Sequence, residues 1–134
     1  YTPFQEATYL PLDITCDAIK VRRNWKEDFD AANAEPDRTL PSPSASAAKT
    51  QEGDIVVALT NVSLDEEQDV TVNLEGAEVQ TVSGRILTSA NVADYNDFEN
   101  PNRVAPADFT GAQIEQGVLS VKVPAKSLVV LTLK

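Results

Sequence analysis

Between Asp54 and Val62 the chain reads DIVVALTNV, with Ile55, Val56, Val57, Ala58 and Leu59 apolar on both faces of an extended segment. A short apolar run of this kind, bounded by turn residues, predicts a strand buried on both sides. Leu128 to Leu133 (LVVLTL) has the same character and predicts a second central strand. Elsewhere the pattern alternates. Val70, Val72 and Leu74 point one way and Thr71 and Asn73 the other; Leu119, Val121 and Val123 alternate with Ser120, Lys122 and Pro124. Leu10, Leu12, Ile14 and Cys16 alternate in the same way within Thr8 to Cys16, the expected first strand, where Pro11 marks an edge or a bulge. Ala18 to Arg22 extends that strand or forms a short second one. Ser44 to Lys49, Glu78 to Thr88 and Ala112 to Glu115 complete the set, with Gly84 inviting a bulge.

Turn residues punctuate these runs. Gln51 to Asp54, Glu75-Gly76 and Pro124 to Lys126 read as turns, and Gln116-Gly117 as a two-residue hairpin turn. About eight short strands with little helix predict an all-β fold, an antiparallel two-sheet sandwich. Two segments fall outside this rhythm. From Arg22 to Arg38 charges of both signs surround Trp25 and Phe29, with one helical turn expected at Ala31 to Ala34; this reads as a surface excursion. From Ser89 to Pro106 a long polar loop follows the strand at Val82. Its residues Asn96, Asp97, Asn100 and Asn102 can bond their own backbone, and Pro101 keeps Asn100 extended. Tyr95 and Phe98 are expected to anchor the loop as buried aromatics. A loop this long inside a compact domain is either disordered or functional.

With 134 residues, the length predicts a single domain over 1–134. The count of 11 Lys and Arg against 21 Asp and Glu leaves a net charge of −10, which opposes nucleic acid and anionic membrane surfaces and suits a neutral partner such as a sugar polymer. The only cysteine, Cys16, excludes an intrachain disulfide, and the alternation places it on the buried face as a core residue. There is no histidine, so Ser-His-Asp and Cys-His catalysis are excluded. No apolar run is long enough for a membrane helix. The chain opens on Tyr1 and has no methionine, which reads as an excised piece or a processed product.

Several stretches resemble a known family. Ser83 to Pro106 (SGRILTSANVADYNDFENPNRVAP) is similar to a segment of the C-terminal β-sandwich domain of family 51 α-L-arabinofuranosidases. Ala7 to Leu12 resembles that domain's opening strand, Pro43 to Lys49 a strand of small residues, and Pro124 to Ser127 with the following VVLTLK its closing strand. The resemblance implies a jelly-roll-like sandwich and a parent enzyme that removes terminal α-L-arabinofuranosyl residues from arabinan or arabinoxylan. It implies catalytic glutamates on a (β/α)8 barrel of the same parent, in a family whose enzymes are often hexamers. Such a barrel takes about 250 residues, so it lies outside this chain. The expected role is an accessory domain docked on that barrel, without catalytic residues, cofactor or metal of its own. The alternative is an independent carbohydrate-binding module. Compartment is open, with a periplasmic or extracellular location favoured over a cytoplasmic one.

Candidate chemistry is sparse. Glycoside hydrolysis needs two carboxylates placed across a sugar. Asp65-Glu66-Glu67 has no apolar neighbours to raise a pKa and reads as a solvated turn. Asp94, Asp97 and Glu99 lie among aromatics, yet capping of loop N–H groups is the plainer role. Asp94-x-Asn96 opens like an EF-hand loop, but Phe98 then falls where an oxygen ligand belongs and Glu99 where glycine belongs. Trp25, Tyr95, Phe98, Glu99 and Asn100 are the candidates for contact with the barrel or with sugar. Phe4, Tyr9 and Phe109 read as core or edge filler.

Overall fold

The computed structural model describes residues 2–21 and 38–134. Trp25, Phe29 and the helical turn expected at Ala31 to Ala34 lie outside the described residues. A short 3-10 turn, Thr2–Phe4, precedes the first strand. Among the described residues there are eleven strands: β1 Thr8–Leu10, β2 Ala18–Val21, β3 Arg38–Pro41, β4 Ser44–Lys49, β5 Ile55–Asn61, β6 Gln68–Asn73, β7 Val82–Thr88, β8 Ala107–Phe109, β9 Ala112–Glu115, β10 Val118–Val123 and β11 Ser127–Leu133.

They form a six-stranded sheet in the order β1-β4-β5-β11-β7-β8, a three-stranded sheet β6-β10-β9, and a β2-β3 ribbon. The pairings described are all antiparallel. The expected all-β antiparallel sandwich is thus the fold. β5 and β11, the two runs apolar on both faces, sit side by side in the middle of the larger sheet. Val57, Leu59, Val129, Leu131 and Leu133 from that sheet meet Leu119, Val121 and Val123 of β10 in one buried cluster. Alternation on β10 places these three against the core while Lys122 faces out, where its Nζ bonds Asp69 at 2.9 Å and lies 3.6 Å from Glu67.

The hairpin turn at Gln116-Gly117 forms as expected. Both residues have positive φ, 51° and 77°, the conformation a two-residue turn needs to match the strand twist.

Four expectations are corrected. The first strand ends at Leu10 instead of Cys16. It is the edge strand of the larger sheet, and Pro11 has no N–H to extend the ladder. Beyond it Ile14 is half exposed and Cys16 only half-buried, so the apparent alternation there does not describe a buried face. Next, β7 begins at Val82 and runs through Gly84 in unbroken register with β11, from Thr88 opposite Ser127 to Val82 opposite Leu133. The irregularity lies just before it, where the N–H groups of Gln80 and Thr81 converge on the Lys134 oxygen at 2.7 and 3.0 Å, as in a bulge. Gly84 serves packing: a Cβ there would stand 2.7 Å from Leu131 Cδ2 and 3.1 Å from Phe109 Cδ1. Finally, Ala18–Val21 is a strand of its own, and with it β3 and β8 join the eight strands expected to make eleven among the described residues. Phe109 packs on the core; Tyr9, on edge strand β1, is mostly exposed.

Candidate functional site

The segment from Ser89 to Pro106 arches between β7 and β8, two antiparallel neighbours at the edge of the larger sheet. Arg85 clamps the return of the arch. Its Nη2 donates to the Pro106 oxygen at 2.9 Å and its Nε to the Ala107 oxygen at 3.3 Å, beside the Asp108 carboxylate at 3.5 Å.

Within the arch, short polar side chains replace the missing ladder. Ser89 Oγ and the Asn91 N–H both donate to Asp94 Oδ2, the latter at 3.2 Å. Asn96 bridges to Val104 in both directions: its Nδ2 donates to the Val104 oxygen at 2.9 Å, and its Oδ1 accepts the Val104 N–H at 2.7 Å. Asp97 Oδ1 accepts the Asn100 N–H at 2.6 Å, and Asp97 lies 3.6 Å from Arg103. The Asp94 and Asp97 contacts to Asn91 and Asn100 are turn caps of the kind Asp favours, the Asn96–Val104 pair is a brace across the loop, and with the Asp97–Arg103 ion pair they order an arch that has no regular secondary structure.

This ordering inverts one expectation. Tyr95 and Phe98 are not buried anchors: Tyr95 is 66% exposed and Phe98 fully so. The polar caps hold the backbone, which leaves the aromatic rings free to point outward. Glu99 and Asn100 are also exposed, and Asn100 Nδ2 donates to Asp97 Oδ1 at 3.2 Å. Four of the five candidate residues, Tyr95, Phe98, Glu99 and Asn100, therefore share one arch; Trp25 lies outside the described residues.

Two carboxylates of the arch, Asp94 and Asp97, serve structure. The hydroxyl of Ser89 and the N–H of Asn91 stabilise the charged form of Asp94 and hold its pKa below the usual carboxylate value. A general acid needs the opposite shift. Asp65, Glu66 and Glu67 are exposed, as expected of a solvated connection. Among the described residues no group of three or more Cys, Asp or Glu side chains converges as a metal site would.

The sequence reading missed Val62, Leu64, Leu87 and Val92, apolar side chains left exposed near the arch. A signal was present: Leu64 and Val92 are isolated apolar residues in otherwise polar connections, where neither belongs to an alternating core pattern.

Fold and site together define an antiparallel two-sheet β-sandwich without converging reactive groups among its described residues, its polar loop residues used for order and its loop aromatics turned outward. The chain belongs to the α-L-arabinofuranosidase C-terminal domain family, whose model matches residues 1–127. It is 42% identical, over all 134 residues, to an intracellular exo-α-L-arabinofuranosidase of Bacteroides ovatus, of which it spans 24%. The crystal structure of the GH51 arabinofuranosidase from Xanthomonas axonopodis pv. citri superposes on the whole chain with a TM-score of 0.85 at 33% identity, again over 24% of that protein. The family 51 α-L-arabinofuranosidase AbfB of Bifidobacterium longum shares the fold over 90% of this chain and 21% of its own, with a TM-score of 0.68 at 16% identity.

Proposed function

We propose that residues 1–134 act as a single accessory domain of a family 51 α-L-arabinofuranosidase, supporting a catalytic (β/α)8 barrel in the same polypeptide. The parent removes terminal α-L-arabinofuranosyl residues from arabinan or arabinoxylan, and this domain contributes stability and contact surface instead of reacting groups. The observation that carries the reading is the arch: its backbone is fixed by polar caps, while Tyr95 and Phe98 stand in solvent. Covering an aromatic or aliphatic side chain of that size is worth about 1.5–3 kcal/mol. An arch already ordered gives up little further conformational entropy when a partner covers it. The reading is tested by assaying the domain alone and the full-length parent on an aryl α-L-arabinofuranoside. Turnover by the parent and none by the domain is expected; activity of the domain that survives repurification overturns the assignment.

A second reading, an independent carbohydrate-binding module, draws on the same two exposed aromatics, since such modules stack sugar rings on them. It requires heat of binding or gel retardation with arabinan or xylan, and loss of both in Tyr95→Ala and Phe98→Ala.

We infer an intracellular location for the parent, a compartment the sequence left open, by analogy with the Bacteroides ovatus relative. A lone half-buried thiol at Cys16 is compatible with a reducing compartment. Fractionation of the native host tests this, and recovery of the parent in the periplasm or medium overturns it.

A further inference from the structure

The arch also forms one part of a groove. Leu87 on β7 pairs with Leu128 on β11, and Leu128 with Thr60 on β5, so the three side chains make a row across the larger sheet. Val129 and Leu131 of β11 face the core, which puts this row on the opposite, outer face. The β5–β6 connection adds Val62 and Leu64, and the arch adds Val92; the shallow groove between them is open to solvent and has a volume of about 460 Å³.

These parts are held in place before anything binds. Lys126 donates its Nζ to the Leu64 oxygen and its N–H to the Ser63 oxygen, the latter at 2.9 Å. The Ser63 N–H donates to Asn61 Oδ1 at 2.9 Å, and the Glu66 N–H to Ser63 Oγ at 3.1 Å. Leu64 is nevertheless 57% exposed and Val92 73% exposed. A preorganised apolar groove with exposed side chains is a surface that gains from being covered.

We propose that this groove seats an apolar ridge from the catalytic portion of the same polypeptide, so that the domain is clamped there as well as at the tip of the arch. The proposal rests on the reading of this chain as an accessory domain and names the surface through which that role is exerted. Three observations favour this occupant. The relatives that carry the domain are about four times its length, so a tethered partner is present at high effective concentration. Val92 belongs to the same arch as Tyr95 and Phe98, so one partner surface can reach all three. The lining itself balances Asp94 against Lys126, but the connection that borders it carries the exposed carboxylates Asp65, Glu66 and Glu67 in a row, an acidic rim. A two-fold contact between copies would set this acidic surface against itself, which disfavours a second copy as the occupant.

The test uses the full-length parent and its double variant Leu64→Asp/Val92→Asp, followed by amide hydrogen exchange and sedimentation. Both side chains are more than half exposed in the domain, so charge there leaves the fold intact, and slow exchange in β11 verifies that. The expected result is exchange about tenfold faster in residues 62–66 and 89–94 of the variant, with β11 unchanged. Should β11 also open, Leu64→Ala/Val92→Ala replaces the charged pair and is read in the same way. Unchanged exchange around the groove overturns the proposal. So does a variant that loses only its oligomeric state, because the occupant is then a second copy. If Phe98→Ser loosens the domain while the groove variant does not, the accessory reading stands and the groove assignment fails.

Discussion

The side-chain amide of Asn61 donates to the main-chain oxygen of Val123 at 3.1 Å, joining the end of a central strand in the larger sheet to the end of β10 in the smaller one. The same Nδ2 donates to the Glu66 oxygen at 2.8 Å, while Oδ1 accepts from Ser42 Oγ at 3.2 Å and the Ser63 N–H at 2.9 Å. Asn61 and Ser42 are both buried, and every donor and acceptor of the Asn61 amide has a partner. Asn61→Ala leaves two carbonyls, a hydroxyl and the Ser63 N–H without their partner in a partly to fully buried setting and is expected to destabilise the domain by about 3 kcal/mol. Asn61→Asp is worse than neutral as well, since it turns an acceptor towards two carbonyl oxygens. Urea denaturation measures both; a loss below about 1 kcal/mol for the alanine variant shows that water satisfies these groups instead.

Gly84 and Phe109 are paired across β7 and β8, and the ring occupies the space a side chain at 84 would need. Gly84→Ala is expected to cost roughly 1–3 kcal/mol through overpacking against Leu131 and Phe109. The penalty shrinks in a Phe109→Leu background. A double-mutant cycle reads the coupling directly, with a non-additive term of about 0.5–3 kcal/mol expected. Strict additivity would mean that Leu131 alone absorbs the clash.

Two ionisable groups predict opposite pH behaviour. Asp94 has its pKa depressed below the ordinary 3.8, first by the Ser89 hydroxyl and then by the Asn91 N–H. Its contribution to stability is therefore present above that ordinary value and is lost as pH falls from there through the depressed one. Ser89→Ala is expected to move the Asp94 titration upward, as followed by carboxyl-carbon NMR. Lys122 has its pKa raised above 10.5 by the Asp69 hydrogen bond and charge, with Glu67 adding to it. That contribution is present below 10.5 and disappears as pH rises through the raised value. Both groups are exposed to solvent screening, so added salt reduces each effect.

Phe98→Ser and Tyr95→Ser remove apolar surface that touches little within the domain. Chemical denaturation of the domain alone is expected to change by no more than about 0.5 kcal/mol. In the full-length parent the same substitutions are expected to lower the melting temperature, because the proposed contact with the catalytic portion covers the rings there. Equal effects in the two settings would place the rings outside any interdomain contact.

The chain's own pattern determined the sandwich. β5 and β11 are apolar on both faces and could only lie inside a sheet, while β6 and β10 alternate and could cover the core with one face and meet water with the other. Gln116-Gly117 specified its turn locally, and the Asn and Asp residues of the 89–106 arch carried the means of its order within a few residues of where they act. The resemblance identified in Ser83 to Pro106 named the family from the same stretch. Tertiary structure alone decided which apolar residues are core. Leu12, Ile14 and Cys16 alternate as a strand would, yet Pro11 cuts them from the ladder, and Leu12 packs on the core while Ile14 is half exposed; Tyr95 and Phe98 look like anchors, yet backbone caps release them to the surface. Periodicity records which side chains share a face, whereas burial depends on what packs against that face, and segments distant in sequence settle that.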